Sequence, residues 1–311
     1  MKIKQPIFSP DTAHPMAHCA TLAVLPDGQL ISAWYAGSAE CAPDVVIFAA
    51  TYHELTWSHP RVIARVPGLS LGQPVLLPLG NGDLVLFFVI LPDRGGWRQA
   101  RPFCQRSQDG SYTWSAPQPL LDYPGLLFRA RPMRLSGRII LPVYDEITWQ
   151  SRMLLSDDAA LTWKLTAPIT TPQGNIQPSL ARLDDGRLLA YLRTGEKGGW
   201  IWRTSSSDNG ETWETPNPTH LPNPNSGIDL LRTQSGRLIL AYNPSASQRT
   251  PLAVTTAGQQ ENWQPPHLLE DGPGEYSYPA LAQTPDGLIH LVYTWRRQTI
   301  AHICFSETWL G

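Results

Sequence analysis

Two arginines stand where a purely structural role is hard to find for them. Arg193 closes the apolar run "LLAYLR", and Arg249 heads a strand in "NPSASQRTPLAV". A guanidinium buried without a partner is costly, whereas its forked donors match a carboxylate. The pair therefore points to recognition of an acidic group. Around them, polar residues recur at matched distances from a series of turn glycines. About ten residues before each glycine stand His18, Gln73, Arg131, Gln177, Ser226 and Tyr276, and seven after it stand Tyr35, Val89, Tyr144, Arg193, Asn243 and Thr294. Two rings this rich in polar groups do not suit a core. They suit loops and strand ends that deliver side chains into a shared funnel. Glu40, Asp44, Glu146, Glu275, Arg296 and Arg297 are further charged groups near these positions.

The elements that must position these residues are written in a repeat. The turn glycines are Gly28, Gly82, Gly137, Gly186, Gly236 and Gly287, spaced 54, 55, 49, 50 and 51 residues apart, each followed by an apolar run such as "DGRLLAYLR" or "SGRLILAYN". A second marker keeps the same beat. "SQDGSYTW", "SDDAALTW" and "SSDNGETW" follow the template S-x-D-x-G-x-T-W, with Ser111 and Ala160 in the glycine's place in the first two, and weaker echoes end at Trp57, Trp263 and Trp309. Glycine supplies the positive φ of a tight hairpin turn, and the runs of Leu, Ile, Val and aromatics read as strands. Thirty prolines leave little room for long helices. About four strands recurring every 40 to 50 residues are the mark of propeller blades. The expected fold is an all-β, six-bladed β-propeller forming one domain over residues 1–311. Asp109, Asp158 and Asp208 then cap backbone N–H groups in the outer turns while each Trp packs between blades, a scaffold role.

Composition bounds the partners. With 24 basic and 26 acidic residues, a net charge of −2 and no basic run, the chain lacks the electrostatic footprint of a nucleic-acid binder. No stretch has the length and apolarity to span a bilayer, and "MKIKQPIFSPDTAHPMAHC" lacks the apolar centre of a signal peptide, so a cytoplasmic location is expected. Cys19, Cys41, Cys104 and Cys304 show no metal-ligand spacing and are expected to be free thiols, the first two in buried packing. No metal, phosphate or dinucleotide motif is present. No cofactor is expected.

The S-x-D-x-G-x-T-W repeats, or Asp boxes, together with "NIQPSLARLDDGRLLAYLR", "NPSASQRTPLAV" and "GEYSYPALAQTPDGLIHLVYT", resemble the sialidase (neuraminidase) superfamily, in particular bacterial sialidase-like proteins with these repeats. The resemblance covers essentially the whole chain. In that superfamily three arginines clamp the substrate carboxylate, an Asp serves as acid/base, and a Tyr activated by a Glu attacks the anomeric carbon. The resemblance implies that Arg193 is the second arginine, Arg249 the third and Tyr276 the nucleophile. A neutral phenol can approach an anionic sugar that would repel a carboxylate. Three departures stand out. His18, in "HCATL", occupies the first arginine's place. Gln177, sixteen residues before Arg193, stands where the activating Glu belongs. The acid/base falls on Asp44 or Glu40 in "AGSAECAPDVVIF".

The function implied is a retaining exo-glycosidase that removes a terminal acidic sugar, sialic acid or a related ulosonic or uronic acid. Arg193, Arg249, Asn243 and His18 would bind it, and Glu275 or Glu146 would cover the missing glutamate. Two alternatives remain open. A uronate-specific polysaccharide lyase could use His18, Tyr276 and Arg193 without that glutamate, and a non-catalytic propeller could bind the acidic glycan without reacting.

Overall fold

The structure is a computed structural model that describes residues 2–10, 12–80, 82–92, 96–195 and 198–311. It is a six-bladed β-propeller. The six sheets begin with the strands Met16–Val24, Ser70–Gly80, Leu126–Phe128, Asn175–Arg182, Asp229–Arg232 and Tyr276–Gln283, and each continues through neighbouring strands to an outer one. In the sixth, the outer strand is Lys2–Pro6, which pairs antiparallel with Thr299–Phe305. Two short 3-10 turns, Gly96–Gln99 and Glu307–Trp309, are the helical segments among the described residues. By compactness the chain divides into two units. The first is Met1–Arg131 with Ala282–Trp309, and the second is Pro132–Leu281 with Leu310–Gly311.

The repeat markers fold as their chemistry dictates. All six turn glycines hold φ between 77° and 89°, a region closed to most side chains. In four turns the glycine N–H donates to a carbonyl three residues back: Gly28 to Leu25, Gly186 to Leu183, Gly236 to Thr233 and Gly287 to Thr284. The S-x-D-x-G-x-T-W turns join third to fourth strands. In each, the Asp carboxylate accepts from the serine hydroxyl two residues before it and from the threonine N–H four after, at 2.8 and 2.9 Å for Asp109 and Asp158 and 2.8 and 3.0 Å for Asp208. The serine oxygen in turn accepts an N–H from Ser111, Ala160 or Gly210. Hydrogen bonds, foremost from Thr113 and from Thr162, hold the Asp109 and Asp158 carboxyls at about 2.

In the second unit the blades are glued by apolar side chains at their interfaces. Ile140, Met153 and Leu155 of blade three meet Leu180, Leu188, Ala190 and Leu192 of blade four, with Trp213 packed against them. Trp263 does the same where Tyr191 and Leu189 meet Leu230, Leu238 and Leu240. A buried carboxylate adds a polar staple. Asp229 accepts from the Ser179 hydroxyl and from the Leu281 N–H, both at 2.7 Å, so one side chain satisfies donors from the inner strands of two other blades.

The first unit carries a buried histidine pair. His290 and His302 stack with ring centroids 5.2 Å apart, and Trp57 Nε1 donates to His302 Nδ1 at 3.1 Å. An indole N–H only donates, so His302 carries its hydrogen on Nε2 and passes it to His290 Nδ1 at 3.0 Å; His290 Nε2 then donates to Thr284 Oγ1 at 3.2 Å. The Thr284 hydroxyl donates to Asp286. Every hydrogen in this chain is used with both imidazoles neutral. Burial pulls His290 down to about 4, with Asp286 opposing, and pulls His302 down to about 3, with the charge of His290 adding to the effect. A histidine whose folded value is depressed contributes stability that is full above its unfolded value near 6.5 and is lost as pH falls below it. Thermal melts at stepwise pH should therefore show a steep fall of Tm between pH 6 and pH 4, flattened by His302→Phe. A Tm flat over that range would contradict the neutral pair.

Candidate functional site

The first strand of blade four does not run regularly. Its register against Leu188–Thr194 slips between Ile176 and Ser179, and Gln177 adopts φ 54° immediately before Pro178. A left-handed residue followed by proline makes a bulge, since proline has no N–H to leave unpaired. The bulge re-aims the side chain that would otherwise alternate with its neighbours. The same device recurs nine residues before the turn glycine at Cys19 (φ 56°), Gln73 (φ 53°) and Tyr278 (φ 54°), followed by Ala20, Pro74 and Pro279. The equivalent positions are thus Cys19, Gln73, Gln177 and Tyr278. His18 and Tyr276, assigned to that ring by the looser offset, fall one and two residues short of it.

In the second unit these bulges converge on Arg193, which pairs across the strands with Ile176 and is 5% exposed. Its Nε donates to Asn225 Oδ1 at 2.7 Å, and its Nη1 donates to Gln177 Oε1 at 2.9 Å and to the Tyr278 hydroxyl oxygen at 3.0 Å. All three partners are neutral. Among the described residues no carboxylate pairs with Arg193, and its Nη2 donors are left open. Gln177 completes its own bonding by donating Nε2 to Tyr144 Oη at 3.2 Å. Burial, reinforced by the nearby Glu146 charge, raises the Tyr144 phenol well above its ordinary value, so it stays neutral.

Arg249 reaches the same tyrosine. Its guanidinium lies 5.3 Å from the Tyr278 ring centroid and that of Arg193 lies 5.7 Å from it, a cation on an aromatic face in each case. Glu275 Oε1 holds Arg249 Nη1 at 2.9 Å and also accepts from Ser277 Oγ at 2.6 Å. Arg249 Nη2 donates to the Asn225 carbonyl at 3.3 Å. The phenol facing the arginines is therefore Tyr278. Tyr276, expected there, donates its hydroxyl to the Pro273 carbonyl at 3.3 Å, and its backbone N–H goes to the Arg249 carbonyl. Asn243, expected to touch the ligand, donates Nδ2 to the carbonyls of Pro251 and Tyr276 at 2.8 Å each, a backbone clamp that fixes the strand bearing Tyr278.

In the first unit, His18 is 1% exposed, and its Nδ1 lies 2.9 Å from the Thr294 hydroxyl, which also accepts the Cys19 N–H at 3.1 Å. Cys19 Sγ donates to Gln73 Oε1 at 3.1 Å. Trp97 lies so closely over Gly72 that a Cβ there would stand 2.5 Å from its ring. Its indole meets Tyr35 at 6.0 Å between centroids, and Tyr35 meets His18 at 5.7 Å. The two carboxylates of this unit differ in their commitments. Asp44 accepts from both the N–H and the hydroxyl of Ser38 at 2.9 Å; desolvation works to raise its carboxyl, but the Ser38 bonds outweigh it and hold it below the usual value. Glu40 accepts from the Tyr35 hydroxyl at 3.1 Å and pairs with Arg297 Nη1 at 2.6 Å. Arg296 lies instead over the Trp295 ring, and Arg129, which no motif singled out, is buried with Nη1 on the Ala20 carbonyl at 3.2 Å. All four cysteines are free, but Cys41 is exposed, contrary to the packing expected of it. Among the described residues no cluster of three His, Cys, Asp or Glu is placed to hold a metal ion, and no helix is long and apolar enough to cross a membrane.

The family model described as BNR repeat-like domain matches residues 28–291. The chain belongs to the BNR repeat-like family. Within the curated proteins it is similar to an anhydrosialidase of Macrobdella decora, 25% identical over 189 residues, a match covering 53% of this chain and 24% of that protein. The aligned part is thus about a quarter of that relative's length. The fold matches an intramolecular trans-sialidase from Ruminococcus gnavus with TM-score 0.82 and 16% identity, over 98% of this chain and 97% of the other. It also matches a protein of unknown function from Dyadobacter fermentans with TM-score 0.81 and 20% identity, over 97% and 98%. The likeness to these two solved structures is one of fold. Sequence reasoning found Arg193, Gln177, Tyr144 and Arg249 but missed Asn225, which has no repeat-matched position and anchors both arginines from a loop.

Proposed function

We propose that the chain is a sialidase-type exo-glycosidase acting on a terminal acidic sugar, with the cluster around Arg193 as its carboxylate site. The observation that carries this reading is the state of Arg193. A guanidinium 5% exposed, fixed at Nε and Nη1 by neutral groups and open at Nη2, is a buried cation awaiting an anion.

In this reading Arg193 and Arg249 hold the sugar carboxylate, and Tyr278 Oη forms a bond to the anomeric carbon. The bond to the leaving oxygen breaks, the proton given up by the phenol passes by way of water to that oxygen, and a second water later adds to the anomeric carbon, returning its proton to Tyr278 Oη and releasing the sugar with retention. The two guanidiniums beside Tyr278 stabilise negative charge as it develops on the phenol oxygen. A second reading, binding without hydrolysis, is favoured by the amide of Gln177, which cannot take the phenol's proton. A release assay on a fluorogenic sialic acid glycoside tests the choice. Turnover is expected, with Tyr278→Phe lowering kcat by at least about 10³-fold and Tyr276→Phe leaving most of it. No turnover, with the glycoside still bound, would establish the binding-only reading instead.

A further inference from the structure

The histidine pair of the first unit lies beside the seam that the chain's first strand closes. Lys2–Pro6 adds itself to the outer edge of blade six, with Gln5 directly opposite His302 in the register. None of its five side chains is fully buried. Gln5 Nε2 donates to the Leu55 carbonyl at 3.1 Å, and Lys2 lies 5.0 Å over the Trp309 ring. The turn that carries Leu55 continues into Thr56–Trp57, whose indole N–H is the donor to His302. Tyr52, in the strand before that turn, packs its ring 4.8 Å from that of His302 and 5.7 Å from that of His290. One turn thus holds Gln5 by its backbone and His302 by its tryptophan.

The hydrogen-bond order leaves the pair no place for another proton. One added at His302 Nδ1 would face the Trp57 N–H, and one added at His290 Nδ1 would face the His302 Nε2–H, while the other two nitrogens already carry hydrogens. Either way two donors oppose each other where a charge has lost its water. The titratable groups around the pair leave this conflict in place. Asp286 is reached through the Thr284 hydroxyl, and Cys304 Sγ, 3.9 Å from His290 Nε2, is a neutral thiol raised by burial to about 11. Burial raises the Tyr52 phenol too. Asp27, His53 and Glu54 line the cavity that His290 and Cys304 also line, but the pair's hydrogen bonds run to Trp57 and Thr284. Lys2 and Lys4, on the closing strand itself, add positive charge.

We propose that the pair is an acid-sensitive latch on the closing strand: uptake of a proton displaces the Trp57 turn, breaks the bond from Gln5 to Leu55 and frees Lys2–Pro6 from blade six while the second unit stays folded. The strand yields first because it is the exposed neighbour of the pair, and lifting it admits the water that an imidazolium needs. Both histidines are depressed in the folded chain, His290 to about 4 and His302 to about 3. The latch is therefore fully closed above their ordinary value near 6.5 and loosens as pH falls below it. It stands independently of the reading of Arg193.

Hydrogen–deuterium exchange of the full chain at pH 7 and pH 5, corrected for the intrinsic pH dependence, tests the latch. The amides of residues 3–5 should open at least about tenfold more often at pH 5, and regain protection on return to pH 7, while those of Leu188–Thr194 keep theirs throughout. In His302→Gln the amide can accept from Trp57 and donate to His290 without titrating, and the acceleration should fall at least about fivefold. Unchanged protection of residues 3–5 at pH 5, a loss spread equally over both units, or the same acceleration in His302→Gln would overturn the latch. The first two of these are read on the parent protein and need no variant to fold.

Discussion

Arg193→Ala should lower kcat/KM on an acidic sugar glycoside by about 10²- to 10⁴-fold while leaving the fold intact. The magnitude follows from truncating a buried, hydrogen-bonded charge at a binding site, which typically costs about 3–5 kcal/mol of ligand or transition-state binding. The fold should survive because the native state already bears the desolvation cost of a cation with no acidic partner among the described residues. Removing it relieves that cost and offsets the acceptors left on Gln177, Asn225 and Tyr278. Tm should therefore shift by only a few degrees. A collapse of Tm with proportionate loss of activity would mean that Arg193 is a structural residue. Arg193→Lys should recover little, because an ammonium cannot serve Nε, Nη1 and Nη2 partners together.

Gln177→Glu should separate kcat from KM. The side chain keeps its shape. Its carboxylate would accept from Arg193 Nη1 where the amide oxygen does now, 2.9 Å away, and the Tyr144 hydroxyl could turn to donate where it now accepts. Two consequences oppose each other. A carboxylate beside the Tyr278 phenol can take its proton, an effect usually worth about 10²- to 10⁴-fold in rate. The same carboxylate neutralises Arg193 and weakens its hold on a substrate anion, by about tenfold. Steady-state kinetics should show kcat rising by about 10²-fold with KM rising about tenfold. A fall in both constants would contradict the placement of Gln177 beside the nucleophile. If the parent protein binds but does not turn over, this variant is the one expected to acquire activity.

How much of this was legible in the sequence differs by kind of residue. The blades were readable because a tight turn demands a positive φ and therefore a glycine, and because the Asp109, Asp158 and Asp208 turns demand a set of donors and acceptors in fixed order. Arg193 and Arg249 were readable because charge at the end of an apolar run has few structural explanations. The phenol bonded to Arg193 is Tyr278, two residues beyond the expected Tyr276, because strand alternation assigns equal weight to the two. Only the bulge breaks the tie. Its signature was present in the sequence, an offset of nine from the turn glycine with proline following in Gln73, Gln177 and Tyr278, but it emerges only once left-handed backbone is seen at each. Asn225 and the commitments of Glu40 and Asp44 were not legible, since they depend on which loops approach which side chains.

The central claim is that Tyr278 and the arginines around it make one reactive carboxylate site. Its most direct test is covalent trapping with a sialosyl fluoride slowed by a second fluorine beside the anomeric centre, followed by peptide mass spectrometry. The account predicts a single sugar adduct on Tyr278, absent in Arg193→Ala and accelerated in Gln177→Glu. An adduct on Tyr276 or elsewhere, or none at saturating reagent in both the parent protein and Gln177→Glu, would contradict it.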